Sequence, residues 1–262
     1  MRCVTERHLE DVSVTTGSHD NEDIAPGKSA RSFSVVKVVG CILAALLLYV
    51  LTNPQFQGAR EAARRSLCTN NLKQIGLALH DYHDAYGSLP PAYVVDEIGT
   101  PLYSWRVVLL PFLEQKSLYS EWDLTQAWDS PANRRLSDTV LSVYTCPNST
   151  DAGPCTNYIA PVGPDSVFPG TEAVTFDDIT DPTHQTIMVA EMTGARIPWA
   201  APFDERVSFD SINSSGGIGS KHVGGMHVLF CDGSAGFVLE DTDATALTNL
   251  FNRHDRAGDL EY

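Results

Sequence analysis

The sequence predicts an α+β protein: a long N-terminal helix, apolar in its first half and amphipathic in its second, packed on a short antiparallel β-sheet head. Three observations predict it. The run from Val38 to Leu51 carries no charge. In the stretch that follows, Leu72, Ile75, Leu79 and Tyr82 recur at helical spacing. Near the C-terminus, His227 to Cys231 and Ala235 to Leu239 flank Asp232-Gly233-Ser234, and Asp-Gly between apolar runs is a strong hairpin signal.

Residues 1–32 are polar, with few aromatics and no hydrophobic period, and Asp20-Asn21-Glu22-Asp23 and Pro26-Gly27 read as a disordered tail. Residues 33–53 read as a transmembrane helix. An apolar helix without a polar face belongs in lipid or in a protein core, and Phe33 to Leu51 approaches the roughly 20 residues that cross a bilayer. Lys37 lies close enough to the end to snorkel into the headgroups. A cleaved signal peptide and a buried core helix also fit the shorter uncharged run, although Tyr49 to Pro54 is bulky where a signal peptidase needs small residues. Residues 54–86 read as the amphipathic continuation. The two halves together would span roughly 80 Å at about 1.5 Å per residue, the proportions of a stalk.

Gly87-Ser88-Leu89-Pro90-Pro91 ends the helical pattern and opens the head domain, residues 87–262. Within it, Ser104 suits an N-cap for Trp105 to Leu110, with Pro111 closing or kinking that segment. Ser130-Pro131 is a second helix start. Val140 to Tyr144 has the composition of a short strand, and Thr156 to Val162 that of a strand with a turn. Residues 163–181 read as loop. Thr186 to Ala190 is the best buried-strand segment. Gly216-Gly217, Gly219 and Gly224-Gly225 mark a turn region, and Asp243 suits the cap of a last helix through Leu250.

The formal net charge is -15, and its distribution is uneven. Residues 1–86 hold nine basic and nine acidic side chains, residues 87–262 nine and twenty-four. An acidic head argues against nucleic acid, whose phosphates need a basic surface, and against anionic lipid. It fits solubility or cation binding. Lys28 and Arg31 before the apolar run favour a cytoplasmic N-terminus, and Arg60, Arg64 and Arg65 after it weaken that bias.

His222 and Asp232 form an H-x9-D-G pattern. Asp232-Gly233 supplies what a tight turn needs, and His222 is placed to bond a loop carbonyl or Asp232, so a structural role is expected for His222, Asp232 and Gly233. A metal site of His222, His227 and Asp232 is the weaker reading, because His227 and Asp232 straddle a strand. His80, His83 and Asp84 share a helical face and read as polar contacts to the head. Cys146 and Cys155 enclose an eight-residue loop that a disulfide would clip in an oxidising compartment, with two free thiols as the alternative. Cys68 and Cys231 read as small core residues. Asp177, Asp178 and Asp181 make an acidic loop, a weak calcium-type cation candidate without EF-hand spacing. Glu191 follows the buried strand, where it could act as an acid or base beside His222. There is no nucleophile elbow, P-loop or dinucleotide fingerprint.

Arg31 to Lys37 resembles a prepilin-type N-terminal motif, and Pro54 falls where such helices often carry a kinking proline. Ala59 to Arg65, Cys68 to Gly76, His80 to His83, Ser104-Trp105-Arg106, Asp178 to Thr180, Thr186 to Glu191 and His222 to Gly233 together resemble one large planctomycete family of unknown function, with a pilin-like start and a C-terminal H-x9-D-G motif. Two residues depart from the prepilin pattern. Ser32 stands where that motif has Gly, and Lys37 where it has Glu.

The resemblance implies a pilin-like or pseudopilin-like membrane protein. Its structural or secretion-associated role would be exercised through the bilayer at 33–53 and through pilin-like or envelope partners. It implies an N-terminus in the cytoplasm and an extracytoplasmic head. No cofactor, nucleic acid or enzymatic reaction is expected. The alternatives are an extracytoplasmic ligand- or cation-binding module and a hydrolase using Glu191, His222 and Asp232, which would have to converge in a cleft.

Overall fold

The computed structural model describes residues 30–52, 54–151, 153–192, 194, 196–202, 204, 212 and 218–254. Of the expected tail, residues 1–29 lie outside the described residues, as do Gly216 and Gly217. The chain divides into two units, Met1–Asn53 and Pro54–Tyr262.

In the first unit, α1 spans Ala30–Thr52. Its window Val35–Thr52 has a mean hydropathy of 2.5 and no buried residue. The Thr52 hydroxyl donates to Leu48 O at 2.8 Å, so even the polar residue at the end is satisfied within the helix.

The second unit begins with α2, Pro54–Tyr86. Proline suits a first helical position, where its missing N–H has no intrahelical partner to lose. Gly87 ends the helix at φ 78°, its N–H bonded to His83 O at 2.7 Å, a left-handed closure that a Cβ would penalise. Next come the antiparallel pair β1 (Tyr93–Val95) and β2 (Pro101–Ser104), then α3 (Trp105–Val108), α4 (Lys116–Ser120) and α5 (Arg134–Ser137). The strands β3 (Cys155–Thr156), β4 (Tyr158–Ile159), β5 (Ile187–Glu191), β6 (Ile197–Pro198), β7 (Gly225–Phe230) and β8 (Ala235–Leu239) follow, and α6 (Ala244–Phe251) closes the described chain. β3 pairs with β6, and the main sheet runs β4-β5-β7-β8 with every pair antiparallel. The architecture is therefore α+β, an apolar N-terminal helix followed by small antiparallel sheets with packed helices.

The caps behave as expected. Ser104 Oγ accepts from Arg106 N, and Asp243 Oδ1 accepts from Thr245 N and Ala246 N. One strand expectation fails. Ser142–Tyr144 is a single 3-10 turn, because Val140 is exposed while Tyr144 is pulled inward, stacked on Trp199 and donating to Arg106 O at 3.0 Å. The expected loop over 163–181 contains a short 3-10 turn at Phe176–Asp178.

Alternation along the strands sorts the core into two layers. Met226 and Val228 pack with Leu247, Leu250 and Phe251 of α6, while Val189 and Leu229 pack with Leu72, Ile75 and Leu79 of α2. Leu72, Ile75 and Leu79 are wholly buried, whereas Leu77 on the opposite face is exposed. Burying each such side chain contributes about 1.5–3 kcal/mol. At Gly76 an added Cβ would stand 2.8 Å from Leu229 Cδ1 and 3.6 Å from Gly233 Cα. Gly76→Val should therefore cost about 1–3 kcal/mol by overpacking; denaturant midpoints of full-length protein in detergent check this, and an unchanged midpoint would mean that the helix stands off the sheet.

A polar group is also buried in the second unit. Arg106, wholly buried, pairs with Asp204 at 2.8 Å and also donates to Tyr158 O. Asp204 further accepts from Trp105 Nε1 at 3.0 Å and Ala160 N at 2.9 Å.

Candidate functional site

The apolar stripe of α2 does not stop at Leu72. One turn earlier the same face presents Cys68, and further back Arg65 and Glu61, at spacings of three and four. The sheet face that meets α2 likewise ends in polar residues. Glu191 shares the side of Val189 on β5, and His227 that of Leu229 on β7. His222 reaches the same place from the segment before β7, its N–H held by Ser220 Oγ at 3.0 Å. Cys146 arrives from the loop after the 3-10 turn, its N–H held by Asn157 Oδ1 at 2.9 Å.

These groups form one buried cluster. Cys68, Glu191, His222 and His227 each offer a donor atom, and the four atoms lie within 4.8 Å of one another, all in buried residues. Cys68 Sγ is 3.2 Å from His222 Nε2 and 3.9 Å from Glu191 Oε1, and His222 Nε2 is 3.7 Å from Glu191 Oε1. Glu191 Oε2 accepts from the His227 backbone N–H and faces His227 Nδ1, both at 3.1 Å. The two imidazoles stand nearly perpendicular, 4.8 Å between centroids. Cys146 Sγ is 2.8 Å from Cys68 Sγ and 3.6 Å from His222 Nε2.

The other nitrogen of His222 fixes its tautomer. Nδ1 lies 2.6 Å from Glu61 Oε1, and a carboxylate can only accept, so Nδ1 carries the proton. Arg64 and Arg65 hold Glu61 in turn, at 3.3 and 3.4 Å. Arg65 also lies over the ring of Phe237, which meets His227 edge-on. Burial pushes the Glu61 carboxyl up, but hydrogen bonds from His222 and the two arginines outweigh it and hold it below the usual range. Burial likewise acts against ionised Glu191, and the His227 contacts reverse the sign. The Cys68 thiol is drawn down to about 7, chiefly by a hydrogen bond from Cys146, whose own thiol is pushed up by the same contact.

The structure redistributes the residues singled out in the sequence. Asp232 and Gly233 do make the β7–β8 turn: Gly233 takes φ 82°, and Asp232 Oδ1 accepts from Ser234 N at 2.8 Å. His222 is not part of that turn, because Glu61 and Cys68 engage it elsewhere. The weaker metal triad does not come together: His222 and His227 meet, exposed Asp232 stays in the turn, and Cys68 and Glu191 lie beside the two imidazoles.

The Cys146–Cys155 clip is not formed: Cys155 lies in β3 opposite Pro198, and the Cys146 sulfur faces Cys68 Sγ at 2.8 Å instead. In the acidic loop, the Asp178 carboxylate is committed to Thr175 N and Oγ1 at 2.8 and 2.7 Å, Asp177 is exposed and Asp181 is buried. His80 stacks on Phe176 at 4.5 Å, and His83 tilts against the same ring. Sequence reading missed Cys68, Glu61 and Cys146 as members of one site. The available signal was the placement of Glu61 and Cys68 on the helical stripe of Leu72 and Ile75.

The family model described as "Protein of unknown function (DUF1559)" matches residues 57–211, more than half of the 262-residue chain. No curated protein and no solved structure matches it. The matched segment includes Glu61, Cys68, Cys146 and Glu191 and ends before His222 and His227.

Proposed function

We propose that this chain, which belongs to the DUF1559 family of proteins of unknown function, is a membrane-anchored, pilin-like envelope protein with a structural or secretion-associated role. One observation carries the reading: Val35–Thr52 is long and apolar enough to span a bilayer, and none of it is buried in protein. The seating of α2's apolar stripe on an antiparallel sheet supports the pilin-like design. Lys28 and Arg31 before the span favour a cytoplasmic N-terminus, Arg60, Arg64 and Arg65 after it oppose that bias, and the pilin-like resemblance tips the reading toward residues 54–262 outside the cytoplasm.

Ser32 and Lys37 set this chain apart from fibre-forming relatives of the pilin type. Ser32 adds a side chain where a prepilin peptidase meets Gly. Lys37 puts a cation where assembly pairs an acid with a neighbour's terminal amine, and like charges in lipid repel strongly. The protein thus keeps its N-terminal tail and acts outside a fibre core, as an anchor or a cap, with envelope proteins as partners. No reaction is assigned. Glu191 and His222 are buried together, whereas Asp232 lies exposed in the β7–β8 turn.

Carbonate extraction of native membranes, followed by N-terminal sequencing and labelling with a membrane-impermeant amine reagent, tests the reading. The chain should stay in the pellet, start before Phe33 and be labelled at exposed Lys116 in intact cells. Release into the supernatant would overturn the anchor. A start at Phe33 would return the chain to processed pseudopilins, and Lys116 labelled only after lysis would reverse the topology.

A further inference from the structure

We propose that Cys68, Glu191, His222 and His227 bind one zinc-class divalent cation that fastens α2 to the sheet. The inference is independent of the membrane reading, since all four residues belong to the second unit.

The donor set is the first argument. A thiolate, a carboxylate and two imidazoles suit zinc, which takes Cys, His and Asp/Glu ligands tetrahedrally, and they do not suit calcium or magnesium, which demand oxygen. Charge is the second. One thiolate and one carboxylate neutralise a divalent ion, so the filled site carries no net charge into a buried volume, whereas a second thiolate would leave an excess. Cys146 therefore remains a thiol, its Sγ 2.8 Å from the Cys68 sulfur.

The surroundings are the third argument and are independent of the ligands. A histidine that binds metal through one nitrogen commonly donates its other N–H to a carboxylate, which fixes ring and tautomer. His222 does this to Glu61 at 2.6 Å, and its free Nε2 lone pair then faces Cys68 Sγ and Glu191 Oε1 at 3.2 and 3.7 Å. Those separations approach the edges of a tetrahedron with zinc–ligand bonds of about 2.0–2.3 Å. Four protein ligands, all buried, leave no open position for substrate, so the ion is structural. It joins residues from α2, β5, β7 and the segment before β7, the contacts that hold helix on sheet.

The test uses full-length protein, without an affinity histidine tag, purified in detergent without chelators. Elemental analysis should find one zinc per chain. Cobalt exchanged into the site should show a thiolate-to-metal charge-transfer band and tetrahedral visible bands. Cys68→Ser and His222→Gln should lose the ion, while Asp232→Asn in the β7–β8 turn should keep it. Glu61→Gln, a milder change at the half-buried rim that leaves the ligands intact, should weaken zinc about 10–100-fold in chelator competition. Several results would overturn the site: protein without metal; Cys68 and Cys146 peptides joined by a disulfide; zinc retained in both ligand variants; or a Glu61→Gln protein that binds as tightly as the parent.

Discussion

Asp204→Ala is expected to lower the stability of the full-length protein by about 3–5 kcal/mol, because it strands a buried guanidinium. Arg106 has no exposed surface, and Asp204 meets it through two contacts, Nη1 to Oδ1 at 3.1 Å and Nη2 to Oδ2 at 2.8 Å. Removing the carboxylate also leaves the Trp105 indole N–H and the Ala160 amide without their acceptor. Asp204→Asn retains part of the hydrogen bonding and loses the charge, so it should fall between parent and alanine variant. The exposed pair Arg135–Glu121 provides the contrast: solvent screens it, and Arg135→Ala should cost less than about 1 kcal/mol. Denaturant unfolding followed by tryptophan fluorescence measures all three, and an Asp204→Ala midpoint equal to that of Arg135→Ala would refute the account.

Ile75→Asp should have a comparable effect through a different cause. Ile75 is wholly buried in the layer shared by α2, Val189 and Leu229. Aspartate there must ionise without a partner or take up a proton, and it also vacates space that an isoleucine filled. The combined penalty is about 4 kcal/mol or more. Leu77→Asp, two residues away on the exposed face, should change little. Circular dichroism melts of the two variants in the same detergent check the contrast; equal melting temperatures would mean that the stripe of α2 is not seated on the sheet.

The features most legible in the sequence were those with a local cause. The stripe of Leu72, Ile75 and Leu79 has the period of a helix, Asp232-Gly233 has the chemistry of a turn, and Ser104 and Asp243 are caps; each appears as read. Val140 to Tyr144 misled because β-type composition does not reveal that Tyr144 is claimed by Trp199 and the Arg106 carbonyl. The cluster was only half legible. His222 and Glu191 drew notice from the motif and the strand end, but Cys68 looked like one more small core residue, since spacing on a helix says which face a residue shares and not what the face meets. Closeness in sequence suggests Cys155 as one partner for Cys146, whereas the sulfur beside it belongs to Cys68, 78 positions away.

The span of the cluster along the chain sets an order of events during synthesis. Cys68 and His222 are 154 residues apart, and Glu61 and His222 are 161 apart. At about 5–20 residues per second, roughly 10–30 s pass between the emergence of α2 and that of β7. Through that interval the stripe of α2 lacks the β7 and β8 strands that complete its cover, and closing so long a loop must precede any gain from the contacts it brings. The nascent chain thus presents an incompletely covered apolar helix, and its seal against β7 and β8 is among the last steps of folding. A chain interrupted before Phe230 would stay in that sticky state, which makes completion of translation itself the event that hides the helix.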